Sequence, residues 1–350
     1  MPSTSNTLPE TPKVSVIVPC RNEERYIDQC ISSLLKTSYP INHLEILIVD
    51  GSSTDGTKAK LASLKRKHPF IQILANPKKV IPIAMNIGIA NSTGDIILKV
   101  DAHSTYPGNY ITQCVEFMIE YQADNIGGYL SVTPSSNTIV AKSIALVLSN
   151  KIGSGYGSTK TKVSVPTWTD SVGFGCYKRS MLDKIGYYNE GLTRGSDMDL
   201  NNRLRSNGGK ILKIPEITVA YYTKSTLGSF WNHNFSDGYW VTYPLALLRT
   251  PFTLRHIIPL AFVTGVSVLL LLGIWNTLFL LLGISILGFY LLVISVTSVY
   301  IAIKQGNPLY FPVLCMTFFT RHIAYGTGSI LGLIAIPYHL LSRLLRRNKR

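Results

Sequence analysis

VSVIVPCRNEERYIDQCISSL, from Val14 to Leu34, opens with a β-branched run that meets Pro19 and continues into a stretch with Ile27, Ile31, Leu34 and the following Leu35 on one side. An unbroken apolar run followed by helical spacing reads as a strand and its crossover helix. Outward from it, EILIVD at Glu45 to Asp50 repeats the strand, and Ser52, Ser53, Thr54 and Asp55 are capping candidates for the next helix. Ile71 to Leu74 and Ile96 to Val100 read as further strands, with a helix over Pro82 to Ala90 between them. The alternation predicts an α/β domain on a largely parallel sheet covered on both faces. Ligands of such sheets bind beyond the carboxyl ends of the strands. Pro19 to Glu23, Asp50 to Asp55 and Asp101 to His103 should therefore meet in one crevice.

Beyond this half, Val140 to Leu148 has helical spacing and leads into the Gly/Ser/Thr/Lys-rich stretch Gly153 to Lys162, a candidate lid or a simple surface connection. Asp199 to Ser206 reads as a helix closed by Gly208 and Gly209. From Thr226 to Leu248 aromatic and apolar residues mix with few charges, fitting either a core segment or a helix in a membrane interface. Two apolar runs follow, Ile257 to Ile274 and Leu278 to Ile303, each long enough to cross a hydrocarbon core of ~30 Å. A third, Phe311 to Pro337, holds Arg321 and His322 near its middle, where a charge costs roughly 2.5 kcal/mol or more. It is expected to lie along the cytoplasmic leaflet or to re-enter from it, the alternative being a third crossing with Arg321 and His322 shielded against the other helices.

The chain has 350 residues and a formal net charge of +15, which raises the question of nucleic acid. The positive residues decide otherwise. Arg343, Arg346, Arg347, Lys349 and Arg350 read as a tail for anionic headgroups, and Lys58, Lys60, Lys65, Arg66 and Lys67 as a solvated helix face. No nucleic-acid partner is expected; membrane lipids are. Five scattered cysteines form no framework and suggest a reducing compartment. Residues 1 to 12 are polar, with no apolar core of a signal peptide, so the folded domain is expected to stay in the cytoplasm.

VSVIVPCRNEERYIDQCISSL, EILIVDGSSTDGT, GDIILKVDAHSTYP and GSDMDLNNRLRSNGGKI, in that order, resemble the family 2 glycosyltransferases, with the GT-A fold, a Rossmann-like α/β fold for nucleotide-diphospho-sugar transferases. DAH at Asp101 to His103, together with RHIAYGTGSILGLI from Arg321, is most similar to the ExoA-type succinoglycan glucosyltransferases. The resemblance implies an inverting transferase using a nucleotide-sugar donor, UDP-glucose or a related UDP-sugar, and a lipid-linked glycan or glycan acceptor. Pro19, Arg21, Glu23 and Asp50 would hold uracil and ribose, Lys79 would lie near the base or phosphates, and Asp101 would meet ribose and diphosphate. Asp101 and His103 would bind a divalent metal, Mn²⁺ or Mg²⁺, with His103 standing where the family has an acid.

Asp197 falls at the family's catalytic acid, with Ser196 in place of the usual Glu. An N-cap role for Asp197, and an exchange of roles with Asp199, stay open at this stage. Arg203 and Arg205 are either phosphate binders or a solvated face, and His233 is either a further ligand or a packed residue. SFWNHNFSDGYW at Ser229 to Trp240 lacks the QxxRW of processive members, which implies one sugar per encounter. The expected organisation is a polar tail over 1–12, a GT-A catalytic domain over 13–223, an interfacial segment over 224–256, a transmembrane hairpin over 257–303, and a third apolar segment with the basic tail over 304–350. The result would be a multi-pass protein of the cell membrane. A polyprenyl-phosphate acceptor and a non-catalytic scaffold are the competing readings.

Overall fold

The computed structural model describes residues 8–155, 159, 163–248 and 254–337. The first half alternates as the sequence suggests: β1 (Val14–Cys20), α1 (Ile27–Leu35), β2 (Leu44–Asp50), α2 (Thr57–Lys67), β3 (Ile71–Ala75), α3 (Ile81–Ala90) and β4 (Ile96–Lys99). β1 lies between β2 and β4 and is parallel to both, and β2 is parallel to β3. Alternate residues of β1 feed opposite cores, as the period of two requires. Val14, Val16 and Val18 pack in the cluster that holds Ile31 and Leu34 of α1, whereas Ile17 packs in the one that holds Ala84 and Met85 of α3.

The chain then runs through β5 (Ser104–Thr105), α4 (Tyr110–Glu120), β6 (Asn125–Thr133), α5 (Ile139–Ser149), α6 (Lys151–Ser154), β7 (Thr167–Trp168), β8 (Gly173–Lys178), α7 (Arg179–Ile185), α8 (Ser196–Ser206) and β9 (Ile211–Tyr222). Among the described residues the sheet has the order β3-β2-β1-β4-β8-β6-β9-β5, with β7 on β9. The parallel pattern ends at β4. β8 is antiparallel to β4 and β6 antiparallel to β8, so the expectation of a largely parallel sheet holds only for its first four strands. The reason lies in the connections: parallel neighbours need a crossover helix, and the motifs legible in the sequence stop where those crossovers stop.

The chain divides into two compact units, one of residues 1–131 and 157–222, the other of residues 132–156 and 223–350. The second unit contains α5, α6, α9 (Leu227–Leu248), α10 (Leu254–Leu272), α11 (Thr277–Lys304) and α12 (Tyr310–Ile334). α9 and α12 approach backbone to backbone. A Cβ on Gly238 would stand 2.0 Å from the Tyr325 carbonyl oxygen, and one on Gly328 would stand 2.1 Å from that of Phe235. Such small residues let two helix backbones approach closely.

Arg321 and His322 sit in the middle of α12, which is one continuous helix. Arg321 Nε donates to the Gly153 carbonyl at 2.8 Å, and its other arm bonds the side chain of buried Asn234; His322 Nε2 lies 3.0 Å from the Ile152 carbonyl oxygen. Two polar groups that would be costly in hydrocarbon thus meet the last carbonyls of α6.

Among the described residues only Thr277–Lys304 is both long and apolar enough to cross a membrane. The first expected span yields an apolar stretch of His256–Leu272, ~1.5 Å per residue and so several ångströms short of a hydrocarbon core, with Pro259 inside its helix. The lid candidate over 156–158 and 160–162, the basic tail from Arg343, Arg249 and most of the polar N-terminus lie outside the described residues.

Candidate active site

The strand order explains where a site forms. β1 pairs with β4 only from Val14 to Ile17 but with β2 through Cys20, so the carboxyl ends of β1 and β4 diverge. That opening is the switch point of the sheet, where the chain turns from one side of β1 to the other. Pro19 lies past the last residue paired with β4, where a missing N–H costs no bond on that side.

The loops after β1 and β2 are tied together. Asn22 N–H donates to Ser53 Oγ at 2.9 Å, Thr54 N–H to Asn22 Oδ1 at 2.9 Å, and Glu23 N–H to Thr57 Oγ1 at 2.8 Å. Glu24 and Asp55 add Gly56 N–H to Glu24 Oε2 at 3.1 Å and Glu24 N–H to Asp55 Oδ2 at 3.3 Å. Asp50, buried at the end of β2, accepts from Ser53 Oγ at 2.5 Å and from Ser53 N–H at 3.2 Å. Residues just beyond three successive strands have left-handed backbone: Asn22 at φ 57°, Ser52 at 56° and Lys79 at 64°. Non-glycine residues adopt this region at a cost and tend to do so at functional sites. Arg21 and Lys79 are exposed on these loops.

Across the opening, Asp101 follows β4. Its N–H donates to Tyr106 Oη at 2.8 Å, and its carbonyl accepts from Cys30 Sγ at 3.6 Å. His103 brings the two sides together: Nδ1 lies 3.1 Å from Asp101 Oδ1 and 3.2 Å from Glu23 Oε1, with its ring against Tyr221. Burial pushes the Asp101 carboxyl up, against the pull of His103 and Lys99. Burial, with Asp50 next, pushes the Cys20 thiol up to about 12.

Asp197 lies in the first turn of α8, and the helix starts at Ser196 behind Gly195, whose φ of 74° only glycine adopts freely. The N-cap is Gly195, which removes that role from Asp197. Both oxygens of Asp197 meet Lys99 Nζ, at 2.7 and 2.5 Å. Asp199 points elsewhere: it is buried and pairs with Arg203 at 3.0 Å. Arg203 further donates to the carbonyls of Ile185, Gly186 and Tyr187, which occupies the guanidinium within the fold. His233 pairs with Asp237 on its own helix at 3.4 Å.

Glu23, Asp101 and His103 are therefore in contact, Asp50 is linked to them through Ser53 and Asn22, and Asp197 is linked through Lys99, two residues before Asp101. Sequence reasoning missed Lys99 and Tyr106, and held Asn22 and Ser53 only as members of the loops expected at the crevice. The alternation in ILKVD could have raised Lys99, since it shares a strand side with Asp101.

Among the described residues no group of three or more His, Cys, Asp or Glu side chains is arranged to hold an ion. Asp101 Oδ1 and His103 Nδ1, 3.1 Å apart, match two adjacent corners of an octahedron with bonds of ~2.1 Å. That spacing would suit two ligands of a divalent ion.

With this geometry in view, the profile of Glycosyl transferase family 2 matches residues 15–186. The chain carries a family 2 glycosyltransferase domain. The glycosyltransferase is 27% identical over 316 residues to the succinoglycan biosynthesis protein ExoA of Rhizobium meliloti, covering 89% of this chain and 92% of that one. It is 28% identical over 326 residues to a dolichyl N-acetyl-alpha-D-glucosaminyl phosphate 3-beta-D-2,3-diacetamido-2,3-dideoxy-beta-D-glucuronosyltransferase of Methanococcus voltae, covering 92% and 97%. Its fold is similar to that of a Pyrobaculum calidifontis mannosyltransferase solved with GDP-Man and Mn²⁺, at a TM-score of 0.61 and 16% identity, covering 90% of this chain and 87% of that one. The glycosyltransferase has the GT-A fold.

Proposed function

We propose that the enzyme moves a sugar from a UDP-linked donor, UDP-glucose or a near relative, to a lipid-linked glycan or polysaccharide precursor at the cytoplasmic face of the cell membrane, inverting the anomeric centre. The observation that carries the reading is the approach of Glu23, Asp101 and His103 across the switch point, with Asp197 tied to the same strand through Lys99. Pro19, Arg21, Glu23 and Asp50, with Lys79 near the base or phosphates, form the nucleoside side, and Asp101 with His103 the diphosphate side. Asp197 takes the proton of the acceptor hydroxyl as its oxygen bonds the anomeric carbon; the bond from that carbon to the diphosphate breaks and UDP leaves. Asp101 and His103 would hold a Mn²⁺ or Mg²⁺, which when bound would supply charge neutralisation for the leaving diphosphate.

The name of the Methanococcus voltae relative favours a second acceptor, a polyprenyl-linked sugar phosphate, over free polysaccharide. Membrane attachment is part of the proposal. α10 and α11 form a hairpin in which Gly273 meets Leu280 and Gly283 meets Leu269, so a crossing by α11 carries α10 beside it. The test is product identification by mass after incubation with UDP-sugars and membrane lipid extract, for wild type and Asp197→Asn. Loss of turnover by about 10²-fold with UDP affinity retained is expected. Unchanged turnover would remove Asp197 from the chemistry, and a catalytically silent wild type would favour a scaffold.

A further inference from the structure

Lys99 is a cation set inside a sheet. Its side chain is 13% exposed and lies at the end of β4, while its partner Asp197 is 45% exposed. Its Nζ stands 5.9 Å from the centre of the Tyr188 ring, and both Tyr188 and Tyr177 are buried. Behind these rings Tyr177 Oη donates to Asn201 Oδ1 at 3.2 Å, and Asn125 Nδ2 donates to the same oxygen at 2.9 Å. Asn201 belongs to α8, the helix whose first turn carries Asp197. The helix is pinned from behind while the carboxylate is gripped from the side.

An ion pair between two exposed groups contributes little. This pair is different, because the cation is the less exposed partner, at 13%, and an ammonium largely withdrawn from water requires a counter-charge at a fixed place. Lys99 meets both oxygens of Asp197 and the Tyr188 hydroxyl faces the same carboxylate, and since a carboxylate has about four lone-pair sites it keeps room for a hydroxyl proton. Resting on the reading of Asp197 as the proton acceptor, we infer that Lys99 is the positioning residue of the transfer step: it fixes the Asp197 carboxylate in the orientation that receives the acceptor hydroxyl. When the proton arrives, Asp197 becomes neutral and its hold on Lys99 weakens. The ammonium then keeps the Asp101 carboxylate, two residues on in the chain, as its nearby counter-charge.

A double-mutant cycle tests this on the full chain, with Lys99→Met, Asp197→Asn, the two together, and Lys99→Arg. Transfer kcat, donor KM, UDP affinity and the thermal midpoint are read for each. Lys99→Met is expected to lower kcat by about 10- to 100-fold, the scale of a misplaced catalytic group, with donor KM and UDP affinity within about 3-fold of wild type. Lys99→Arg should recover most of the loss, since a guanidinium also serves both oxygens of a carboxylate. In the Asp197→Asn background Lys99→Met should change kcat by less than about 2-fold, because a residue acting through Asp197 has nothing left to act on.

A double mutant reduced by the product of the single effects would overturn the inference, as would a wild-type kcat for Lys99→Met. Those results leave Asp197 as the base if Asp197→Asn is itself impaired; wild-type turnover in Asp197→Asn would instead remove the base assignment. Should Lys99→Met lose its fold, Lys99→Gln, polar and uncharged, gives the same cycle.

Discussion

Asp197 and Asp199 stand two residues apart on α8, one half-exposed and bound to Lys99, the other buried and bound to Arg203. Substitution should separate them. Asp199→Asn leaves a guanidinium without its carboxylate and is expected to destabilise the fold by about 3 kcal/mol, read as a lower midpoint in denaturant. Asp197→Asn, which takes the counter-charge from Lys99 at a half-exposed position, should lower that midpoint by less. Among the donor-side acids, Asp101→Ala should abolish UDP release and nucleotide binding, and Asp50→Ala should weaken both, because Ser53 loses the acceptor that shapes its turn; calorimetric titration with UDP checks this. His103→Asp should move the preference from Mn²⁺ toward Mg²⁺, since Mg²⁺ favours oxygen ligands, measured as transfer rates with each ion.

Glu45 offers a pH test away from the site. Burial raises its carboxyl, but hydrogen bonds from Ser15 and Thr93 and the charge of Lys13 outweigh that and leave it lowered from 4.5. A carboxyl lower in the folded than the unfolded state adds stability above its unfolded value, and that stability fades as pH falls through the folded value. Glu45→Gln should therefore cost on the order of 1 kcal/mol at pH 7, and its difference from wild type should shrink below about pH 4 in denaturant melts.

At the scale of elements, β1, β2 and β3 and the helices between them were legible because their apolar runs are continuous and their loops carry polar punctuation. β6 and β8 were not. NIGGYLSVT and GFGCYK contain glycines that look like breaks, yet β6 and β8 pair with each other along the sheet. The start of α8 was read three residues late, at Asp199, because Gly195 in left-handed backbone sets the true start and carries no sequence cap. Most of the candidate site, from Pro19 to His103 and Asp197, was visible as acids and loops after strands. Lys99 was not, since its partner lies 98 residues away and only the folded sheet brings them together.

The α9–α12 contact carries its own prediction. Gly328→Val would push a side chain into the Phe235 carbonyl and Tyr239 N–H region of α9. A cost of at least about 2 kcal/mol is expected from such overpacking, measured as a lower thermal midpoint in detergent, while Gly288→Val, with open space around it, should be neutral.

At the scale of the whole chain, α11 is the helix that fits a bilayer by length and composition, and the hairpin turn at Trp275 is the place to ask which side it reaches. An exported-only reporter inserted there should be active, with a reporter after Arg350 silent, if α10 and α11 cross together and α12 does not. Activity at both would give α12 a crossing of its own.

The division of the chain has a further consequence for how such an enzyme can be cut or recombined. Residues 132–156 leave the sheet-bearing unit and return to it, so the two units are joined at 131/132, 156/157 and 222/223 rather than once. A truncation after Tyr222 would therefore not yield a clean soluble half. It would keep α5, whose Ile144, Val147 and Leu148 are buried against Phe230, Ile294 and Phe318 of the discarded helices, and expose them to water. The catalytic sheet and the helical unit are thus inherited together, and swapping one for another by a single crossover would break the hydrophobic contacts of α5 rather than exchange a module.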